Sequence, residues 1–468
     1  MRSFRQLLRA RRFAFCRTRF LADSVFGTRP APCEDSSRVL SPASRRLQPQ
    51  IRPIRWGIPR IGPLSLVLMH APPTEFQTQV VSDRHADTRT AALSLAGSLR
   101  EELDGPPAAL LIAASFHHST ALPEAVRTIR DALDGPASVG FTARSVMAGP
   151  EEFESGPSMV AMAIGGPGLR VRSFHFDHRD GPPEAWSREL VRSRLRPMSP
   201  PRGILVFADP FTAGSDALPA RLAATFPAGV PISGGLLSGA SQAGANVLVA
   251  DDAVSMSGAV GLIFEGDIEL EPIVAHGCRG VGESSIVTGA DGSSITSLGG
   301  RPAAEVLEEV LASLSGADRT ALARTPLIGI AADAAKPMKG RGDFLIRPIG
   351  TVDRASGNLL LSGGAPRGST VRFQVRDATI AAEDLGMSLD LAVLDHRPAA
   401  GVILSSSAGR GSSLFGSPGH DAGRIHERLA APPLLGFVAA AEIASIGGRP
   451  RLAGLGLSAV VLRGIVRA

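Results

Sequence analysis

ALLIAASFHHSTALPEAVRTIRDALDGPASVGF, residues 109–141, spells out a strand, a polar loop and a helix in order. The unbroken apolar run Ala109–Ala114 fits a buried strand, and Ser115–Thr120 is a polar loop. From Ala121 to Leu133, the residues Leu122, Val126, Ile129 and Leu133 recur at i, i+4, i+7 and i+11, which gathers them on one face of a helix. Pro136 blocks helix continuation and favours extended geometry, and Gly140 admits a close backbone approach.

The same unit recurs twice. GILVFA (203–208) leads to a helix carrying Leu218, Leu222 and Phe226, and GVILS (401–405) leads through a glycine-rich loop to a helix carrying Ile425 and Leu429. Each helix is followed by a proline and a glycine four residues on: Pro136 and Gly140, Pro231 and Gly235, Pro432 and Gly436. This punctuation reads either as the ordinary start of a strand or as a turn facing a ligand. Alternating strands follow each unit. Ser158–Ile164 is expected to pair with Leu169–Phe176 across Gly165–Gly168. Asn246–Ala250, Ala259–Phe264 and Ile268–Ala275 form a second series with a turn at Glu265-Gly266-Asp267, and Gly454–Arg463 closes the chain. The expected fold class is α+β or mixed α/β: layered mixed β-sheets covered by helices, built from repeated strand–helix–antiparallel-strand units, in two domains. A further helix from Pro302 to about Leu314 buries Val306, Leu307, Val310, Leu311 and Leu314. Strands follow around Leu327–Ala331, Phe344–Pro348, Asn358–Ser362 and Thr370–Gln374. Ser315–Pro326 marks the expected boundary, giving domains 76–315 and 316–466.

Composition bounds the function. Of 468 residues, 44% are hydrophobic and 20% charged, which fits a globular chain, and three cysteines exclude a disulfide scaffold. No run of 18 apolar residues occurs, so no transmembrane helix is expected. The net charge of +5 is unevenly placed. Residues 1–68 hold 14 Arg, no Lys and three acids, a net +11, which leaves −6 for the rest. An acidic body without Tyr and with a single Trp does not fit a nucleic-acid binder. Residues 1–68 form a basic extension, disordered from Pro30 to Pro63, with an amphipathic pattern at Phe4, Leu7, Leu8 and Phe13. Three readings stand for it: a sequence upstream of a true start at Met69, a disordered tail, or a targeting segment.

Several motifs carry a resemblance. LLIAASFHH, SVGFTARSVMAG (138–149), ISGGLLSG (232–239) and AHGCRGVGESSIVTGADGSSITSLGGRPAAEVL (275–307) resemble the FIST N domain. GDFLIRPIGTVDRASGNLLLSG (342–363), VRFQVRDA (371–378), SSSAGRGSSLFG (405–416) and GFVAAAEIASIGG (436–448) resemble the FIST C domain. The FIST family (F-box and intracellular signal transduction) is proposed to be a sensory module. The resemblance therefore implies a cytoplasmic protein that binds a small ligand, an amino acid or small carboxylate, and signals through a separate protein. It implies no cofactor and no catalytic residues. Where family members carry a Cys before Ala-Gly-Arg-Gly this chain has Ser407. The family's GEIGPVGG stands here as Ala441–Gly448, and its His-Gly-Phe-Thr as Ala453–Gly456. An enzyme using the glycine-rich cleft, or a protein-interaction scaffold, are the alternatives.

Arg410 and Glu442 lead the candidate ligand-binding residues. Arg410 sits in a glycine-rich loop after a strand, and Glu442 interrupts an apolar run where a carboxylate needs a partner. One reading has Arg410 hold a ligand carboxylate and Glu442 an ammonium group. The other has them pair together, or with Arg449 or Arg451. Gly409, Gly411 and Gly416 offer amides for an anion near a helix starting at His420. Gly140, Thr142, Gly234, Gly235, Gly436 and His117 are expected to line the same hollow, with His118 beside it. Cys278 beside Arg279 reads as either an activated or a buried thiol, and Arg347 and Arg376 are expected to pair with Asp353, Asp377 or Asp384. His175, Asp177 and His178 do not share one face of a strand, so no metal site is expected.

Overall fold

Capping and apolar patterning set up three successive stretches with the same plan. Asp87 caps the first helix by accepting from the Thr90 N–H (2.8 Å), and Ser187 and Asp377 cap their helices likewise. The computed structural model describes residues 76–465 except Ala334, Pro337 and Met338. The expectations for residues 1–68 lie outside the described residues.

The first stretch runs β1 (Gln77–Asp83), α1 (Thr88–Glu102), β2 (Ala109–Ser115), α2 (Leu122–Ala132), β3 (Ala137–Ala143), the hairpin β4 (Val146–Ala148) and β5 (Glu151–Phe153), and β6 (Met159–Gly165). The second repeats it as β7 (Leu169–Phe176), α3 (Arg188–Leu195), β8 (Gly203–Ala208), α4 (Ala217–Thr225), β9 (Ile232–Leu236), the hairpin β10 (Leu248–Ala250) and β11 (Ala253–Ser255), and β12 (Ala259–Gly266). The third opens with β13 (Ile268–Ala275) and is then interrupted by an inserted block. That block holds β14 (Cys278–Asp291), β15 (Ser294–Leu298), β16 (Arg301–Pro302), α5 (Ala303–Ser313), α6 (Gly316–Arg324), β17 (Leu327–Ala331), β18 (Phe344–Asp353), β19 (Asn358–Leu361) and β20 (Thr370–Arg376). The third stretch resumes with α7 (Ala378–Val393), β21 (Gly401–Ser407), the short α8 (Ser412–Phe415), α9 (His420–Arg428), β22 (Leu434–Ala439), the hairpin β23 (Ala441–Ile446) and β24 (Arg449–Ala453), and β25 (Leu457–Gly464).

Each stretch builds four strands of a six-stranded sheet and takes its last two from another stretch. The orders are β1-β6-β2-β3-β10-β11, β7-β12-β8-β9-β23-β24 and β13-β25-β21-β22-β4-β5. The hairpins are thus exchanged in a closed cycle, with a parallel pair (β2 and β3, β8 and β9, β21 and β22) at the heart of each sheet. Helices cover the outer faces: α1 and α2 on the first sheet, α3 and α4 on the second, α7 and α9 on the third. The inner faces share one core, in which Phe141, Phe207 and Phe437 meet with ring centroids 4.3, 4.9 and 5.5 Å apart. Edge-to-face and offset contacts of this kind add about 0.5–1.5 kcal/mol per pair beyond area burial. The inserted block forms a fourth sheet, β14-β20-β17-β18-β19-β15-β16, with α5 and α6 on one side.

The fold class expected from the sequence is the one observed, with two local corrections. Each repeat begins one strand and one helix earlier than the apolar runs marked. The expected pairing of β6 with β7 does not form, because β6 pairs with β1 and β2 while β7 pairs with β12. The turns at Gly165–Gly168 and Glu265–Asp267 therefore carry the chain from one sheet to the next, and they meet through Asp267 N–H donating to Gly168 O (3.4 Å). Ser315–Pro326 falls on α6, which together with α5 covers the inserted sheet.

Candidate functional site

One transverse layer of the shared core locates the site. In the first sheet the inward residues of this layer are Val160, Ala113, Phe141 and Leu248, each opposite the next across adjacent strands. The third sheet has Ser458, Ser405, Phe437 and Val146. The second has Val260, Phe207, Gly235 and Glu442. Gly235 thus stands where the other sheets put a phenylalanine, and Glu442 where they put Leu248 and Val146. A methyl on Gly235 would lie 2.6 Å from Ser405 Oγ of the third sheet, which sets Gly235, Glu442 and Ser405 together. Glu442 is fully buried, and among the described residues neither its carboxyl oxygens nor the hydroxyls of Ser405 and Ser458 have a hydrogen-bond partner. Burial pushes the Glu442 carboxyl up to about 8. Its own N–H, Arg410, the Ser407 hydroxyl and Arg376 oppose that rise, without any bond of full geometry to the carboxyl.

Arg410 comes from the loop between β21 and α8. Its Nε and Nη2 donate to Asp421 at 2.6 and 2.8 Å, and Ser406 Oγ donates to the same carboxylate at 3.0 Å. Burial alone would raise the Asp421 carboxyl, but these bonds and His420 hold it down to about 2. Arg410 Nη1 is buried and unpartnered. It lies 3.0 Å from where a Cβ of Gly277 would stand, so glycine is needed there. The inserted sheet supplies the neighbours. Cys278 of β14 is in register with Arg376 of β20, whose Nη2 donates to Gly409 O and whose Nε is unpartnered. A Cβ on Gly409 would collide with that guanidinium.

The structure brings together four of the candidates, Arg410, Glu442, Gly409 and Gly235, turns Gly411 toward Glu152 and Glu154, and separates the rest. Gly140 faces outward, where a Cβ would collide with Val126 of α2, and Gly436 faces Met147 and Leu404. In the second repeat the register pairs Val206 with Gly234, as it pairs Ile112 with Gly140 and Leu404 with Gly436. Gly235 is therefore displaced by one residue and points inward. Thr142 is buried with its hydroxyl accepting from Val247 N–H (3.1 Å), and His117 is exposed on a short turn after β2. The three turns accordingly do not surround one hollow, whose centre is filled by the phenylalanine rings.

Other expectations are corrected too. Arg410 pairs with Asp421, and among the described residues Glu442 makes no ion pair with Arg410, Arg449 or Arg451. The amides of the glycine-rich loop are taken up by the protein's own carboxylates: Ser412 N–H donates to Glu154 and Gly419 N–H to Glu152, both at 2.8 Å. Arg347 pairs with Asp216, while Asp377 takes Arg279. Burial pushes the Cys278 thiol up to about 12 despite Arg376 and Arg410, so it is not an activated thiol. Asp421, Arg376, Ser405 and Ser458 were missed by sequence reasoning. Laying the three repeats side by side marks the serines as hydroxyls where the other copies have Ala113, Phe207, Val160 and Val260. Surface grooves of about 770 Å³ beside α4 and β24 and about 420 Å³ beside β7 lie away from Arg410 and Glu442.

Comparison with known proteins gives consistent results. The family model described as FIST N domain matches residues 108–301, and that described as FIST C domain matches 303–445. An uncharacterised protein of Mycobacterium bovis is 36% identical over 372 residues, covering 79% of this chain and 94% of the relative. An uncharacterised protein of Mycobacterium tuberculosis is 34% identical over 371 residues, with the same coverage. Among the described residues, no helix is long and apolar enough to cross a membrane.

Proposed function

This chain belongs to the FIST family, whose domains are associated with sensory roles in signal transduction, and from that premise we propose that it senses a small polar metabolite at the Arg410–Glu442 site. The ligand is an amino acid or a small carboxylate, and the signal passes to a separate cytoplasmic protein by contact. One observation carries the reading: a guanidinium N–H and both oxygens of a carboxyl lie buried without partners among the described residues, near enough for the Arg410 charge to act on the Glu442 carboxyl. Each such group forgoes about 1–3 kcal/mol, which a polar ligand restores. The layer around them is apolar in the first sheet, so the polarity is not required by the fold. Because Arg410 and Glu442 are buried, a ligand reaches them only when the structure around them opens.

A thermal-shift screen with amino acids and small carboxylates tests the proposal, since a ligand that binds only the native state raises the melting temperature. The expected result is a concentration-dependent rise that Arg410→Ala lacks. A rise that is identical in Arg410→Ala would place the binding elsewhere.

A further inference from the structure

We infer that the ligand is a small carboxylate without an amino group, held between Arg410 and Arg376 where the glycine-rich loop meets the inserted sheet. The inference rests on the reading that this site binds a small ligand, and adds the ligand's charge and a second anchor.

The first argument is charge. Arg410 is balanced by Asp421, whereas among the described residues Arg376 makes no ion pair and meets only a backbone carbonyl. Both side chains press on glycines of the same junction, Arg410 on Gly277 and Arg376 on Gly409, and Gly277 directly precedes the residue in register with Arg376. Arg410 is buried and Arg376 half-buried, near enough for each charge to disfavour the other, and an anion between them removes that cost. Burial and the nearby Arg410 disfavour the charged form of Arg376, and Cys278 and Glu442 only partly offset them.

The second argument is the count of hydrogen-bonding groups. The groups without partners are Arg410 Nη1, Arg376 Nε, the Ser405 and Ser458 hydroxyls and the Glu442 carboxyl. The groups facing that carboxyl are Gly235 of β9, Ser407 of β21, Arg410 of the loop, Cys278 of β14 and Arg376 of β20. None of them is an anion at neutral pH, and burial favours the protonated form of the carboxyl itself. Glu442 is then a donor, and donors dominate the site. A carboxylate supplies the acceptors. An ammonium group would add donors, and would first have to ionise a buried acid.

The test is calorimetric titration of the full chain with matched pairs: pyruvate and alanine, 2-oxoglutarate and glutamate, 2-oxoisovalerate and valine. Each is run at pH 7 in imidazole and in Tris, cationic buffers that do not compete for the arginines. The expected result is one oxo acid binding at least about tenfold more tightly than its amino acid, with the same heat in both buffers. Arg376→Gln should weaken that oxo acid roughly 10- to 100-fold. The pH profile gives a readout that a merely structural role would not move. Wild-type affinity for the oxo acid should fall about tenfold per pH unit above about 8 as Glu442 ionises, and Glu442→Gln should abolish that alkaline fall. Tighter binding of an amino acid, with buffer-dependent proton release, overturns the inference and leaves the small-ligand reading standing. Binding by none of the six probes overturns both. An oxo-acid affinity unchanged in Arg376→Gln removes Arg376 from the site.

Discussion

In the first sheet one inward layer reads Val160, Ala113, Phe141, Leu248; in the second the same layer reads Val260, Phe207, Gly235, Glu442. The two backbones are built alike, with the same strand order and the same exchanged hairpin. The first copy closes the layer with a ring over a leucine. The second moves its ring to the neighbouring strand and leaves a glycine opposite a carboxyl. Apolar filling is therefore what the fold requires of this layer, and a buried acid opposite a glycine is an addition that stability does not explain. The third sheet shares the departure through Ser405 and Ser458, so the polar groups collect where the second and third sheets meet.

The largest effect should come from damaging the apolar copy. Phe141→Ala removes a fully buried ring from the aromatic triad and should cost about 3–5 kcal/mol in urea unfolding. A cost below about 1 kcal/mol would mean that the triad is not the centre of the core. A smaller effect, of opposite sign, should follow from making the polar copy resemble the apolar one. Glu442→Leu replaces an unpartnered buried carboxyl by an apolar group and should raise stability by about 1–3 kcal/mol at pH 8 while abolishing ligand binding. The pH dependence has a definite sign. The Glu442 carboxyl is raised on folding, from an ordinary 4.5 to about 8, so the folded wild type holds the extra proton across that window. Wild-type stability falls as pH rises from about 4.5 through about 8, and the advantage of Glu442→Leu should widen over the same range. Melting curves at pH 5 and pH 8 check this, and a gap that narrows toward pH 8 would break the comparison. The smallest effect belongs to the loop anchor. Glu152→Gln weakens the bond to Gly419 N–H and should cost about 0.5–1.5 kcal/mol, seen as faster amide exchange between Gly411 and Gly419.

The repeats, the buried helix faces and the two charged residues Arg410 and Glu442 were legible in the sequence, because each is a local departure in an apolar or glycine-rich setting. The hairpin exchange was not. β4 carries Val146 and Met147 to β22 nearly three hundred residues away, and nothing in its alternation says which edge it will join. Asp421 looked like an ordinary first-turn acid of α9, where its charge suits the helix terminus, and only the chain's return brings it under Arg410. The displaced glycine was half visible: the spacing from Pro231 selected Gly235, and only the strand register shows that Gly234 plays the outward role there. Arg376 stands at the end of an alternating strand, and its place in the site depends on the absent side chain of Gly409.

The central claim is that the buried polar groups of Arg410 and Glu442 hold a ligand. Its most direct test is calorimetry of wild type and Arg410→Ala against whichever small acid gives the largest thermal shift. The account predicts saturable binding in the wild type, weakened roughly 10- to 100-fold in the variant. Superimposable isotherms from the two proteins would contradict it.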